Sequence, residues 1–400
     1  MRSTGCSPAG NPSGGGISPR SMDERRGGAQ SETESRVWRE RLSPDRDSAA
    51  RSERSWASSG RQGGGSPAPK GPGAAAGSVR KNRPAALRRP VNPDRPYAWL
   101  TESEPDAKGR ETRIHTLFLT GRECPFRCVM CDLWRNSLPG PTPPGAIPRQ
   151  IRWALAEGVA PESAVDGQPG GARAIKLYNS ANFFDPKAVP AADLPEIASL
   201  CRSYDRVVVE NHPKLTDERI LRFRDLLAPH TLLEVAMGIE TVHPAALARL
   251  RKSMDLADLE RAARFCVREG VDLRGFLLLH APPLGVEELR DPDVARKWTL
   301  RGVAHAGALG FGTLSLVPLR PEQAVRGAGL PDSRAASAGA AAWAGTAPDA
   351  GECERTLREA LALDGRPPVI LLDLWDLDAP RDAMERLRRM NRLQRPVRPS

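Results

Sequence analysis

Six short, nearly continuous apolar runs recur along the middle of this chain, and each leads into a stretch with helical periodicity. The runs are IHTLFLT (114–120), RAIKLYNS (173–180), RVVVENH (206–212), LLEVAMGIE (232–240), DLRGFLLLH (272–280) and FGTLSLVPL (311–319). Segments between them, such as DLPEIASLCRSY (193–204) and LADLERAARFCVREG (256–270), space their apolar residues three and four apart. Strand and helix in strict alternation imply parallel β/α units. Runs without polar alternation fit strands covered on both faces. The core is therefore expected over 95–330.

The flanks differ in composition. Residues 1–90 are dominated by Ser, Gly, Pro, Ala and Arg, with Trp38 and Trp56 their only aromatics. Such a stretch buries too little apolar surface to offset its chain entropy. Residues 1–94 are read as a disordered basic tail. Residues 1–90 hold 17 Lys and Arg against 8 Asp and Glu, so most of the formal charge of +10 sits there. The tail is either a solvated segment or an arm that touches nucleic-acid phosphates. The remaining chain is close to neutral and carries no charge signal for nucleic acid. An Ala/Gly-rich linker is expected over 331–352. A C-terminal extension over 353–400 follows, with a helix, a strand PVILLDLW and a second helix. No run reaches the roughly 18 apolar residues of a membrane helix. The N-terminus lacks the apolar core of a signal peptide, so no membrane partner and a cytoplasmic location are expected.

The sharpest local signal is TGRECPFRCVMCDLW (120–134), where Cys124, Cys128 and Cys131 stand at a C-x3-C-x2-C spacing. The trio follows the first strand, at the end of a parallel β/α barrel where active sites gather. Three thiolates can hold a 4Fe-4S cluster and leave one iron open to a substrate or cofactor. A zinc site would need a fourth ligand, usually from a second knuckle. Cys201, Cys266 and Cys353 are isolated, and Cys201 and Cys266 occupy apolar helix positions as inert core residues. Coincidental clustering of buried cysteines is the other alternative. An odd count of seven cysteines suits a reducing compartment better than a disulfide framework.

A C-x3-C-x2-C loop after the first of six β/α units resembles the radical S-adenosylmethionine superfamily, over roughly 95–320. That resemblance implies a partial six-stranded parallel β/α barrel, a 4Fe-4S cluster on Cys124, Cys128 and Cys131, and S-adenosylmethionine on the open iron. It implies one-electron cleavage to a 5′-deoxyadenosyl radical, hydrogen abstraction from substrate, and an electron donor such as flavodoxin or ferredoxin. ECPFRCVMCDLW, IKLYNSANFFDP, EVAMGIETVHP and DLWDL further resemble the branch of the archaeosine synthase radical subunit and its uncharacterised bacterial relatives. In archaea that branch acts on a modified tRNA base, so tRNA is the implied partner. A small metabolite or peptide substrate is the alternative, and a non-catalytic iron–sulfur protein a further one. Met130 replaces the aromatic residue usual before the third cysteine, and Ala181 stands where relatives carry Gly.

Other candidates end the strands. By the resemblance, Ser180 and Asn182 hold the amino group of the cofactor, although both also suit an ordinary turn. A carboxylate at Glu240 can accept from ribose hydroxyls. Glu210 ends the third strand, and alternation leaves its facing open. Lys252 reads as a helix-surface lysine, with a carboxylate partner as the alternative. His212 and His280 read as satisfied or solvated, with a substrate-facing role as the alternative.

Overall fold

Each of the six apolar runs forms a strand: β2 (Glu111–Phe118), β3 (Ala174–Tyr178), β4 (Arg206–Asn211), β5 (Leu232–Glu240), β6 (Asp272–Leu279) and β7 (Thr313–Pro318). The computed structural model describes residues 88–106, 109–158, 173–282, 286–319, 347–375, 377–392 and 394, all within one compact unit, Lys70–Ser400. The tail up to residue 87 and the expected 331–352 linker up to residue 346 lie outside the described residues, and the end of that expected linker is corrected, since Ala350 already opens a helix.

Two further strands correct the expected count of six. β1 (Ala98–Pro105) pairs antiparallel with β2. β8 (Val369–Leu372) pairs parallel with β7. The result is one eight-stranded sheet in sequence order, parallel from β2 to β8. β1 escapes a hydrophobicity reading because Glu102 and Glu104 occupy its inner face. β8 joins the sheet because all four of its residues are buried. The extension thus lengthens the barrel sheet.

Helices α1 (Ala146–Trp153), α2 (Leu194–Leu200), α3 (Glu218–Leu226), α4 (Pro244–Arg249), α5 (Leu256–Arg268) and α6 (Pro292–Ala308) cover the outer face. α5 shows why: Leu259, Ala262, Ala263 and Cys266 recur on one side and are buried, and Asp255 with Asp258 forms a capping box at its start. α7 (Ala350–Ala362) and α8 (Arg381–Arg392) belong to the C-terminal segment, and α8 packs against both β1 and β8. Among the described residues no helix is long and apolar enough to cross a membrane. Cys201, Cys266 and Cys353 lie fully buried in the outer core, where burial pushes each thiol up to about 12.

The inner face follows the strand period of two. Lys176 and Tyr178 of β3 and Arg274 and Phe276 of β6 point inward, and Tyr178 meets Phe276 edge-on at 5.9 Å across the interior. The floor is ionic. Lys176 donates to Glu102 at 2.8 Å and to Glu104 at 2.5 Å. Arg274 donates to Glu104 at 2.8 Å and to Glu234 at 3.0 Å, and Arg206 donates to Glu234 at 2.8 Å. Glu104 therefore bridges β1, β3 and β6, and the sheet is curled enough to bring them together.

Burial raises the Glu104 carboxyl, but Arg274 and Lys176 outweigh it and hold the group at about 2, below its ordinary 4.5. A folded value below the unfolded one gives stability that is present above about 4.5 and is lost as pH falls towards 2. Glu104→Gln is expected to lower unfolding stability at pH 7 by about 3–5 kcal/mol, the scale of breaking a buried pair. It should also flatten the loss of stability between pH 5 and pH 2. Denaturant titration at several pH values checks both.

Candidate metal centre at the barrel mouth

The loop after β2 crosses the C-terminal edge of the strands and carries Cys124, Cys128 and Cys131, all partly buried. Cys124 is the most elaborated. The backbone N–H groups of Phe126 and Arg127 hydrogen-bond its sulfur, and Asn182 Nδ2 donates to it at 3.4 Å. Burial pushes this thiol up, while those donors and the Lys252 ammonium favour the thiolate. Cys128 packs with Met130, Leu250, Leu278 and Val317 in a small apolar cluster. Val129 N–H donates to Leu250 O at 3.0 Å, so the loop is tied to the segment after α4. Its base is held by Glu123, which pairs with Arg127 at 3.1 Å and with Arg88. Arg88 also donates to Trp134 O and Ser137 O at 3.1 and 3.2 Å. The tail boundary expected at 94 therefore falls after residues that clamp this loop.

The end of β3 supplies Ser180 and Asn182, both buried. Ser180 has φ 54, which turns two successive N–H groups towards one point. Glu210 fills it, accepting from Asn179 N at 2.9 Å and Ser180 N at 3.2 Å. Its facing is thereby resolved as inward. Burial pushes the Glu210 carboxyl up to about 7, against the pull of those two N–H groups and Lys252. Ser180 Oγ meets the Tyr97 hydroxyl at 2.6 Å, so the residue just before β1 reaches the mouth.

Glu240 ends β5 with φ 63, at a register shift in the β5–β6 pairing. It accepts from Lys252 Nζ at 2.5 Å, and both side chains are buried. This corrects the helix-surface reading of Lys252. α4 stops at Arg249, and Arg251 and Ser253 both take left-handed backbone, φ 53 and 61. Those two turns send the intervening lysine inwards. A Cβ on Gly238 would overlap both Lys252 Nζ and Glu240 Oε1. His280 follows β6 and pairs with Glu352 of α7 at 3.2 Å. His212 stacks on Phe126 with ring centroids 3.5 Å apart, and burial lowers its pKa to about 3.

The six non-glycine residues with positive φ among the described residues are Arg127, Ser180, Glu240, Arg251, Ser253 and His280. All lie in this rim. Each such conformation costs about 1–2 kcal/mol, so the strain of the fold is concentrated where the cysteines are. Buried polar atoms without a partner gather here too: Tyr178 OH, Asn179 Nδ2 and Asn211 Oδ1, at the ends of β3 and β4. Tyr97 and Gly238 are not candidate site residues in the sequence reading, and Lys252 enters it only through the alternative of a carboxylate partner. The usable signal was the glycine two residues before a strand-terminal glutamate.

These features fit a thiolate-bound cluster. Sulfur ligands of clusters characteristically receive hydrogen bonds, as Cys124 does. Among the described residues no group of three or more His, Cys, Asp and Glu side chains converges on one metal ion. A cluster distributes its thiolates over separate irons, so it does not require that convergence.

No family model and no curated protein matches the chain. Among solved structures it is similar to TsrM, a radical S-adenosylmethionine methyltransferase from Kitasatospora setae. One structure of that protein has cobalamin and a [4Fe-4S] cluster bound, at 18% identity and TM-score 0.33 over 52% of this chain. Another has tryptophan substrate and the analogue aza-SAM bound, at the same identity and score over 55%. The likeness spans 38% of the length of TsrM.

Two outcomes follow from the geometry. A folded Glu210 value above the unfolded one contributes stability below about 4.5 that is lost as pH rises through 7. Glu210→Gln should abolish that decline, worth about 2–3 kcal/mol at about 1.4 kcal/mol per pKa unit, as read by unfolding at pH 5 and pH 8. Gly238→Ala should break the Glu240–Lys252 pair and destabilise the chain by about 3–5 kcal/mol. Gly238→Ala combined with Lys252→Met and Glu240→Met should recover part of that loss.

Proposed function

We propose that this chain is a radical S-adenosylmethionine enzyme whose Cys124, Cys128 and Cys131 hold a 4Fe-4S cluster. The observation that carries the reading is the donor set on Cys124: two backbone N–H groups and Asn182 aimed at one thiol in a strained parallel-strand mouth. Three protein thiolates leave one iron for the amino and carboxylate groups of S-adenosylmethionine. With both bound, the pair supplies reductive cleavage and hydrogen abstraction. The protein itself binds, orients and excludes water.

Ser180, Asn182, Glu210 and Glu240 are the proposed cofactor contacts. Glu240 and Lys252 together offer a carboxylate and an ammonium beside the cysteines, which suits a zwitterionic ligand. Met130 and its apolar neighbours offer a soft surface for an adenine ring. The reduced cysteines suit the cytoplasm, with flavodoxin or ferredoxin as the one-electron donor. For the substrate we carry forward a modified tRNA base, which the sequence motifs of the archaeosine synthase branch support. A small metabolite or peptide is the competing substrate class.

Anaerobic reconstitution tests the reading. Wild-type protein should take up iron and sulfide and, with dithionite, release 5′-deoxyadenosine from S-adenosylmethionine. Cys124→Ala, Cys128→Ala and Cys131→Ala should each lose the cluster and its visible absorption, whereas Cys201→Ala, Cys266→Ala and Cys353→Ala should keep both. A trio variant that retains full iron would remove the ligand assignment. An iron-loaded wild type that never cleaves the cofactor would instead identify a non-catalytic iron–sulfur protein.

A further inference from the structure

His212 has no ring atom to spare for acid–base chemistry. Its Nδ1 accepts from Lys214 N at 3.1 Å, so the proton sits on Nε2, which donates to Lys252 O at 2.9 Å. Its face is stacked on Phe126, the rings inclined by only 13°. We propose that His212 is a positioning residue that rivets the cysteine loop to two other loops of the mouth. The proposal rests on the reading of the trio as cluster ligands.

Three segments meet on this ring. Phe126 belongs to the cysteine loop and lies between Cys124 and Cys128. Lys214 belongs to the turn Pro213–Leu215 that follows β4. Lys252 belongs to the connection between α4 and α5, where its neighbours Arg251 and Ser253 are both left-handed. The link to chemistry runs through one peptide. The Phe126 N–H that hydrogen-bonds Cys124 sulfur belongs to the residue whose ring His212 clasps. The carbonyl that His212 holds belongs to Lys252, whose ammonium pairs with Glu240 and favours the Cys124 thiolate. One imidazole thus orients a hydrogen-bond donor and a cation around the same thiolate. Groups that orient metal ligands are typically worth about 10- to 100-fold in metal affinity.

The test uses the full chain with two loop-side variants and one ring-side variant. Phe126→Leu and His212→Asn should each speed chelator-driven iron loss from the reconstituted protein roughly 10- to 100-fold. Phe126→Trp restores the stacked face and should hold the wild-type rate. The Phe126→Leu/His212→Asn double variant should be no faster than the worse single one, because the two act as one contact. A merely structural role would instead show iron loss that tracks the fall in unfolding stability of each metal-free variant, as read by denaturant titration. A second arm needs no cluster: amide hydrogen exchange over residues 124–131 in metal-free protein should be faster in Phe126→Leu and His212→Asn, and unchanged in Phe126→Trp. If His212→Asn fails to fold, Phe126→Leu decides alone. Unchanged iron release and exchange in Phe126→Leu would overturn the proposal. Faster exchange in a protein that never takes up iron would uphold the rivet and overturn the cluster reading.

Discussion

Glu104 is the constraint on which the rest of the architecture depends. One carboxylate in the interior is shared by Lys176 of β3 and Arg274 of β6, and it is delivered by an edge strand that runs against the others. A flat sheet would hold β1 and β6 far apart; the shared charges require it to curl. Burying an ion pair is not a net gain over well-packed apolar residues. Its use here is specificity, since a one-residue slip of β1 would turn Glu104 to the other face and away from Lys176 and Arg274. Curling then brings the C-terminal ends of β2 to β6 around one opening. The mouth exists because the floor is tied.

Floor and mouth divide the work between them. The floor charges are paired within the protein, and Glu104 is held ionised. At the mouth the chemistry is poised instead. Burial raises Glu210 to about 7 against the pull of two backbone N–H groups, polar atoms at the ends of β3 and β4 are left without partners, and six non-glycine residues among the described ones take left-handed backbone. Local strain of this kind persists only where the surroundings over-determine it. Here the surroundings are the rigid strands and the Phe126–His212–Lys252 contacts. A cysteine loop without regular secondary structure at its three thiols is thereby held in one shape.

Much of this was legible in the sequence, for identifiable reasons. The six runs that form β2 to β7 are apolar apart from a few charges such as Lys176, Glu234 and Arg274, so their length and their alternation with helical segments mark them. The expectation that Cys124, Cys128 and Cys131 form one site rests on their spacing, their position and the strand order, and the structure carries all three on the loop after β2. β1 was not legible, because its inward residues are Glu102 and Glu104, and an acidic alternation reads as a loop until Lys176 and Arg274 are known to face it. Lys252 was misread because RLRKSM continues a helical pattern, whereas the chain leaves the helix after Arg249 and reverses hand on either side of the lysine. The reading of Glu210 depended on strand facing, which period alone cannot assign without one known neighbour. His212 could be weighed as substrate-facing only until both of its nitrogens had partners.

We propose that the mouth holds a cluster with one iron left for a ligand outside the protein. The most direct measurement is the electron paramagnetic resonance spectrum of the anaerobically reconstituted, reduced chain, recorded before and after S-adenosylmethionine is added. A signal of a reduced 4Fe-4S cluster that shifts on addition of the cofactor is the predicted result. A cluster signal that the cofactor leaves unchanged, or a reconstituted chain with zinc and no cluster signal, would contradict it.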